Sequence, residues 1–281
     1  MARIYHLRAN ERVDYQEEVI GLEGGVSYPL GDDFFRISHG ADYFRFFDRL
    51  GKVYYIVGLH PVNERVVGAQ CFILRHVPMT IGDSRLKPLW YSCDTKVHPD
   101  HRKDGLGAEL LKAYFSKNMA MSQLRHRCVL RGYGISMNTS TGKNRMKDHS
   151  KSWGKSLPGL NVRSETLHLY SLTYDDIRRA ETVLKQHRGA LSYLSLNGVK
   201  DIILQSSGEA MPLLHVQWGP LADPRARAEP LEEHIHMFCA VRGSPLALAA
   251  EKDLRLEPSG TATIYSIRVK TDYSFVLTSD I

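Results

Sequence analysis

One stretch constrains this chain more than any other. Over residues 91–111 a strand-forming run meets Pro99, a short charged loop follows, and a helical pattern starts among two glycines, Gly105 and Gly107. Proline has no N–H, so the strand stops there. Leu106, Leu110, Leu111, Tyr114 and Phe115 then recur at the spacing of an amphipathic helix. A helix N-terminus carries unpaired N–H groups and the positive end of the helix dipole. Glycines there clear the side chains that would keep an anion from the backbone, and Arg102 and Lys103 add charge. The combination is receptive to a diphosphate. A junction packed for structural reasons alone is the competing account, and the paired glycines with an arginine at this spacing weigh against it.

The flanking pattern predicts a mixed chain. Residues 3–8 read as a strand, and Asn10 is placed to cap a helix over about 11–22, ended by Gly24 and Gly25. A second helix is expected over 41–50, a hairpin over 53–59 and 66–77, and strands over 89–97, 128–138 and 162–172. Residues 140–153 read as a polar helix or loop. After Leu172 the pattern restarts. Thr173 caps a helix that Gly189 can end, strands are expected over 191–196, 200–205, 212–217, 235–241 and 262–270, and Ser244-Pro245 opens a short helix. The expected fold class is α+β, a mixed and mostly antiparallel sheet flanked by helices. The division falls into a domain over 1–172 and a C-terminal α+β domain over 173–281. No chemical motif is visible in the latter.

The run Val97-x-Pro99-x-x-Arg102-x-x-Gly105-Leu106-Gly107-x-x-Leu110-Leu111 resembles the acyl-CoA pyrophosphate loop of the GNAT superfamily of N-acyltransferases. The resemblance is close over 91–115 and extends by element order over 3–172, which implies a splayed sheet of that type. It implies that the backbone of Lys103, Asp104, Gly105, Leu106, Gly107 and Ala108, with Arg102, holds the diphosphate of acetyl-CoA or another acyl-CoA. Thr95 and Val97 would pair with the pantetheine arm, and the Val97 N–H is a candidate to polarise the thioester carbonyl. The implied acceptor is a small-molecule amine or a protein amine.

The same resemblance implies an acid and a base. Asp94, three residues before Val97, is the preferred base, with a strand-edge aspartate bonded to the backbone as the even alternative. Tyr91 is a candidate acceptor contact, though a packed strand tyrosine is the simpler reading. Asn138 matches the asparagine such proteins carry near the CoA sulfur. The tyrosine expected about one turn into the following helix is missing, and His149 is the substitute donor, set against a solvent-facing histidine in a Lys-rich stretch. A non-catalytic CoA-binding or regulatory protein on the same fold is the alternative. The C-terminal residues are left as a degenerate second acyltransferase-like unit, an acceptor-recognition cap or a homodimerisation element.

Composition bounds the rest. Hydrophobic residues are 43% and charged residues 24%, the balance of a globular chain. The formal charge of +6 and pI near 9.1 suit a phosphorylated cofactor, and no nucleic-acid motif accompanies them. No apolar run has the length of a membrane span. The four cysteines, at 71, 93, 128 and 239, form no CxxC pair and read as buried thiols of a cytoplasmic protein rather than a disulfide or zinc framework. His234 and His236 share a strand face without a third ligand, so no metal site is expected.

Overall fold

A computed structural model describes residues 2–23, 27–114, 131–139, 144 and 162–281. The chain's contacts cluster in two units. Unit 1 holds residues 1–26, 42–76 and 88–134, and unit 2 holds 27–41, 77–87 and 135–281. These units interleave in sequence, whereas the pattern of residues suggested a single division at 172.

Unit 1 carries strands β1 (Arg3–Leu7), β4 (Lys52–Leu59), β5 (Val66–Val77), β6 (Lys87–Val97) and the start of β7 (Gly132–Met137), hydrogen-bonded in that order. β1, β4 and β5 pair antiparallel. β6 and β7 run parallel over Trp90↔Gly132, Tyr91↔Tyr133 and Ser92↔Gly134. The helices are α1 (Arg12–Gly21), α2 (Arg45–Asp48) and α3 (Leu106–Tyr114). Asn10 does not cap α1. It lies in a 3-10 turn over Ala9–Glu11, where the Glu11 carboxylate accepts the Arg8 N–H at 2.8 Å. α2 is a single turn rather than a ten-residue helix; Phe46 and Phe47 within it and Tyr43 and Phe44 before it are all buried.

α3 is seated by two glycines that face it. Gly58 and Gly68 are cross-strand partners on β4 and β5, and a Cβ on either would come within 2.9 Å of the Leu106 side chain. That slot buries Leu106 and Leu110, each contributing about 2 kcal/mol by area removed from water. The position of the α3 N-terminus therefore follows from packing.

The other five strands of the same ten-stranded sheet follow in unit 2, ordered β13 (Gly260–Ile267), β8 (Val162–Leu172), β12 (Ile235–Val241), β11 (Leu213–Trp218) and β9 (Leu191–Leu194). Only β11 and β12 are parallel among these pairs. α4 (Tyr174–Arg188) and α5 (Pro245–Lys252) cover it over a core that includes Ile177, Leu184, Tyr193, Leu214, Phe238 and Leu246. Thr173 and Ser244 cap these helices through their hydroxyls, as their sequence positions indicate. A second, three-stranded sheet joins β2 (Tyr28–Leu30), β3 (Asp33–Ser38) and β10 (Asp201–Leu204). The β2–β3 hairpin has a two-residue Gly31-Asp32 turn with Gly31 at φ 56°; a glycine-first pair of this kind is a hairpin signal in its own right.

Candidate anion-binding turn and its surroundings

The turn after β6 has the shape the sequence indicates. His98 closes the strand by donating its N–H to Val67 O at 2.9 Å, and Pro99–His101 form one 3-10 turn. Gly105 then takes φ 76°, a conformation that disfavours any side chain, and its carbonyl accepts the N–H groups of Ala108 and Glu109 at 2.9 and 3.2 Å. Asp104 N–H is spent on His101 O at 3.2 Å. The N–H groups of Asp104 and Ala108 are therefore not available to an anion. Those of Lys103, Gly105, Leu106 and Gly107 have no hydrogen-bond partner among the described residues. Among the described residues, a Cβ on Gly107 would meet nothing nearer than Val97 Cγ2 at 3.7 Å. Four free donors at a helix N-terminus fit a diphosphate.

Arg102 is partly committed, because its Nε donates to Val97 O at 3.2 Å and clamps the strand end to the turn. Since His98 N–H points to β5, the alternation of a strand turns the Thr95 and Val97 N–H groups to the opposite edge. That edge lies beyond Ser92, the last residue of β6 paired with β7.

β6 bends at Asp94, which sits at φ 53° within the strand. A non-glycine residue in this region is held only by its surroundings, and here they are visible. Gln70, fully buried on β5, donates through Nε2 to Cys93 O at 2.8 Å and Ser92 Oγ at 3.2 Å. Its Oε1 accepts the Thr95 hydroxyl at 2.6 Å. One glutamine thus replaces the ladder bonds a bent strand loses.

The Asp94 carboxylate is held from the other side. Its side chain is 5% exposed and lies 2.7 Å from Lys96 Nζ, while Tyr43 donates to it at 2.6 Å and Tyr55 donates as well. Lys96 also pairs with Glu23 at 3.1 Å and donates to the Tyr43 hydroxyl. Burial pulls the Lys96 pKa down, but the carboxylates of Asp94 and Glu23 outweigh it and the net shift is upward. Burial, and then the Asp94 charge, pushes the Tyr43 and Tyr55 phenols well above their ordinary value. The geometry makes Asp94 the anchor of a buried charge network, with its lone pairs occupied. Neither Gln70 nor this network was foreseen from sequence. Lys96 and Glu23 are 73 positions apart, and no local pattern connects them.

The other candidate residues are also accounted for. Tyr91 is buried and stacks on Tyr133 with ring centroids 4.7 Å apart. Arg75 donates to the Tyr133 hydroxyl at 2.6 Å. Asn138 lies in unit 2, where its amide donates to Thr261 Oγ1 at 3.0 Å and its carbonyl accepts from Asn144 at 2.6 Å and Thr263 at 2.8 Å. It is a structural amide rather than a free one. His149 and the Lys-rich stretch 143–155, apart from Asn144, lie outside the described residues, as does Cys128. Cys71, Cys93 and Cys239 are free thiols. Among the described residues no group of three or more His, Cys, Asp or Glu has the spacing of a metal site, and no helix is long and apolar enough to cross a membrane.

No protein-family model matches the chain. It is 25% identical over 244 residues to the uncharacterized protein L340 of Acanthamoeba polyphaga mimivirus, covering 85% of this chain and 68% of that one. Among solved structures it is similar to a tandem GNAT protein from the clavulanic acid biosynthesis pathway, at 10% identity and TM-score 0.46, covering 94% of this chain and 98% of the other. It is also similar to a GCN5-related N-acetyltransferase from Kribbella flavida, at 11% identity and TM-score 0.41, covering 95% and 72%. Likenesses at this level carry no argument about chemistry, which rests on the residues above.

Proposed function

We propose that unit 1 binds an acyl-CoA, with acetyl-CoA the first choice, and passes its acyl group to an amine. The observation that carries this reading is the set of four free N–H groups at Lys103, Gly105, Leu106 and Gly107. The cofactor supplies an activated thioester. The chain's own part is to fix the diphosphate at the α3 N-terminus and to offer the Thr95–Val97 edge to the arm leading from it. The Val97 N–H is the donor placed to stabilise negative charge on the thioester oxygen. The charge of +6 favours approach of a polyanionic ligand.

Asp94 enters this reading in a changed role. A carboxylate bound to an ammonium and two phenols is a poor proton acceptor, and its contribution is to hold the bend that aims Thr95 and Val97. The same observation favours a second reading, a CoA-binding module without turnover, because Asp94 offers no free group for proton transfer.

Calorimetry with acetyl-CoA tests binding, and free-thiol release over an amine panel tests turnover. Gly107→Glu puts a carboxylate over the free N–H groups at a position with room for it, so affinity should fall by about 100-fold or more with an unchanged thermal midpoint. Retained affinity in that variant rejects the site. Tight binding with no thiol release on any amine selects the second reading.

A further inference from the structure

β6 is held at its bend from both faces of the sheet, and one of the two holds carries no charge. Gln70 on β5 is 1% exposed, and its amide reaches both flanks of Asp94. Nε2 donates to Cys93 O at 2.8 Å, with Ser92 Oγ at 3.2 Å and Cys71 O at 3.3 Å also within reach. Oε1 accepts the Thr95 hydroxyl at 2.6 Å. These partners fix which end of the amide is which, since two carbonyls need a donor and a hydroxyl can give its proton to an oxygen.

Register separates this grip from the charged one. Gln70 lies opposite Ile56, and Cys71 opposite Tyr55, in the β4–β5 pair. Side chains directly across a ladder share a face, and successive ones alternate. Gln70 therefore works from the face opposite Tyr55, whose hydroxyl donates to Asp94. The network around Asp94 holds the bent residue itself. Gln70 holds the residues before and after it, and neither contact uses the Thr95 or Val97 N–H. The α3 N-terminus is seated independently, by Leu106 against Gly58 and Gly68.

We propose that Gln70 is a positioning residue: it aims the Thr95 and Val97 N–H groups at the arm of the ligand without touching the ligand, and its loss frees that edge while the 103–107 turn keeps its hold. The inference rests on the acyl-CoA reading for the ligand, and on the ligand-free strand for the grip itself.

Two variants of the full chain test it, each compared with the unmodified protein at the same pH. Gln70→Leu keeps the bulk and removes both contacts. Gln70→Glu keeps the shape, but an ionised carboxylate faces two carbonyls, so it holds Cys93 only when protonated, and burial raises the pH at which that happens. Without ligand, amide and carbon-13 shifts at 93–97 should move in Gln70→Leu, and in Gln70→Glu they should return as pH falls. With acetyl-CoA at neutral pH, both variants should keep the amide changes at 103–107 and lose those at Thr95 and Val97. Affinity should fall about tenfold, the worth of two ordinary hydrogen bonds. Lowering the pH should restore the Thr95 and Val97 changes in Gln70→Glu alone, a reversal that a general packing defect does not give.

Ligand-free shifts at 93–97 that stay in place in Gln70→Leu, or that ignore pH in Gln70→Glu, would overturn the inference. So would Thr95 and Val97 changes that survive in both variants, or that are absent from the unmodified protein while 103–107 respond. An unmodified protein that does not bind acetyl-CoA rejects the acyl-CoA reading instead, and the ligand-free spectra still decide the grip on the bend.

Discussion

Each unit contains one parallel pair of strands, and what lies between the two strands differs. β6 and β7 share three residue pairs, as do β11 and β12. The crossover from β6 contains α3, whose first turn leaves four N–H groups free. Residues 219–234, the crossover from β11, contain one 3-10 turn and no α-helix. Several of its donors are closed on the protein. Ala222 N–H bonds Gly219 O, Asp223 N–H bonds Gln217 Oε1 at 2.8 Å, Ala226 N–H bonds Asp223 O, and Arg227 N–H bonds Tyr193 O. One of its two arginines is also spent, since Arg225 forks onto Asp223 at 2.9 and 2.7 Å. Arginine and glycine near a strand end do not by themselves make an anion site. What sets the first crossover apart is a helix N-terminus, which gathers its free donors at one point.

The two units also bury different polar chemistry. Unit 1 holds one connected charged network around Asp94, and unit 2 holds separate pairs such as His215 with Thr278 at 3.0 Å and Gln217 on Ser279 at 2.9 Å, and also buries Arg188, Lys200 and Asp280. The sharpest way to break this contrast is Asp94→Ala. It leaves Lys96 with one carboxylate instead of two and removes the acceptor of two buried phenols. The expected cost is about 3 kcal/mol in urea denaturation. A variant of undiminished stability that loses only turnover would restore Asp94 as a catalytic base.

pH separates the units next. Burial lowers the His236 pKa to about 4, and its Nε2 accepts the Leu231 N–H, which requires the neutral ring. A depressed pKa gives stability that is present above the unfolded value near 6.5 and is lost as pH falls toward 4, on the order of 3 kcal/mol. The raised pKa values of Tyr43, Tyr55 and Lys96 work in the other direction, giving stability present below about 10 and lost as pH rises beyond it. Tyr170, Tyr193, Tyr273 and Cys239 in unit 2 are raised by burial as well, so alkali loosens both units and acid alone separates them. Hydrogen exchange should show unit 2 loosening first in acid, His236→Gln should flatten that acid limb, and an unchanged acid limb in the variant would contradict the contrast.

The smallest effect concerns helix starts. α5 is capped by the Ser244 hydroxyl, which accepts the Ala247 N–H at 3.3 Å. Ser244→Ala should cost about 1 kcal/mol and leave acetyl-CoA affinity unchanged, because that N-terminus is closed by the protein itself.

What the sequence disclosed follows the same division. The turn at 99–107, the hairpin at Lys52–Val77 and the capped helices α4 and α5 were legible because proline, glycine and hydroxyl residues act locally. β2 and β3 were missed although Gly31-Asp32 is a two-residue turn signal between strand-forming residues. The role of Asp94 was not legible, since its partners Tyr43 and Tyr55 come from α2's approach and from β4, and burial reverses the chemistry that a strand-end carboxylate suggests. The surroundings of Asn138 are equally invisible to local pattern. An asparagine at a strand end offers its amide only if no neighbour takes it, and Thr261, Thr263 and Asn144 do.

The most direct test is an amide proton–nitrogen spectrum of the full chain recorded before and after adding acetyl-CoA. New hydrogen bonds to phosphate oxygens should move the Lys103, Gly105, Leu106 and Gly107 amides downfield while residues 219–234 stay in place. Amides at 103–107 that remain unmoved as the ligand saturates the protein would contradict the account.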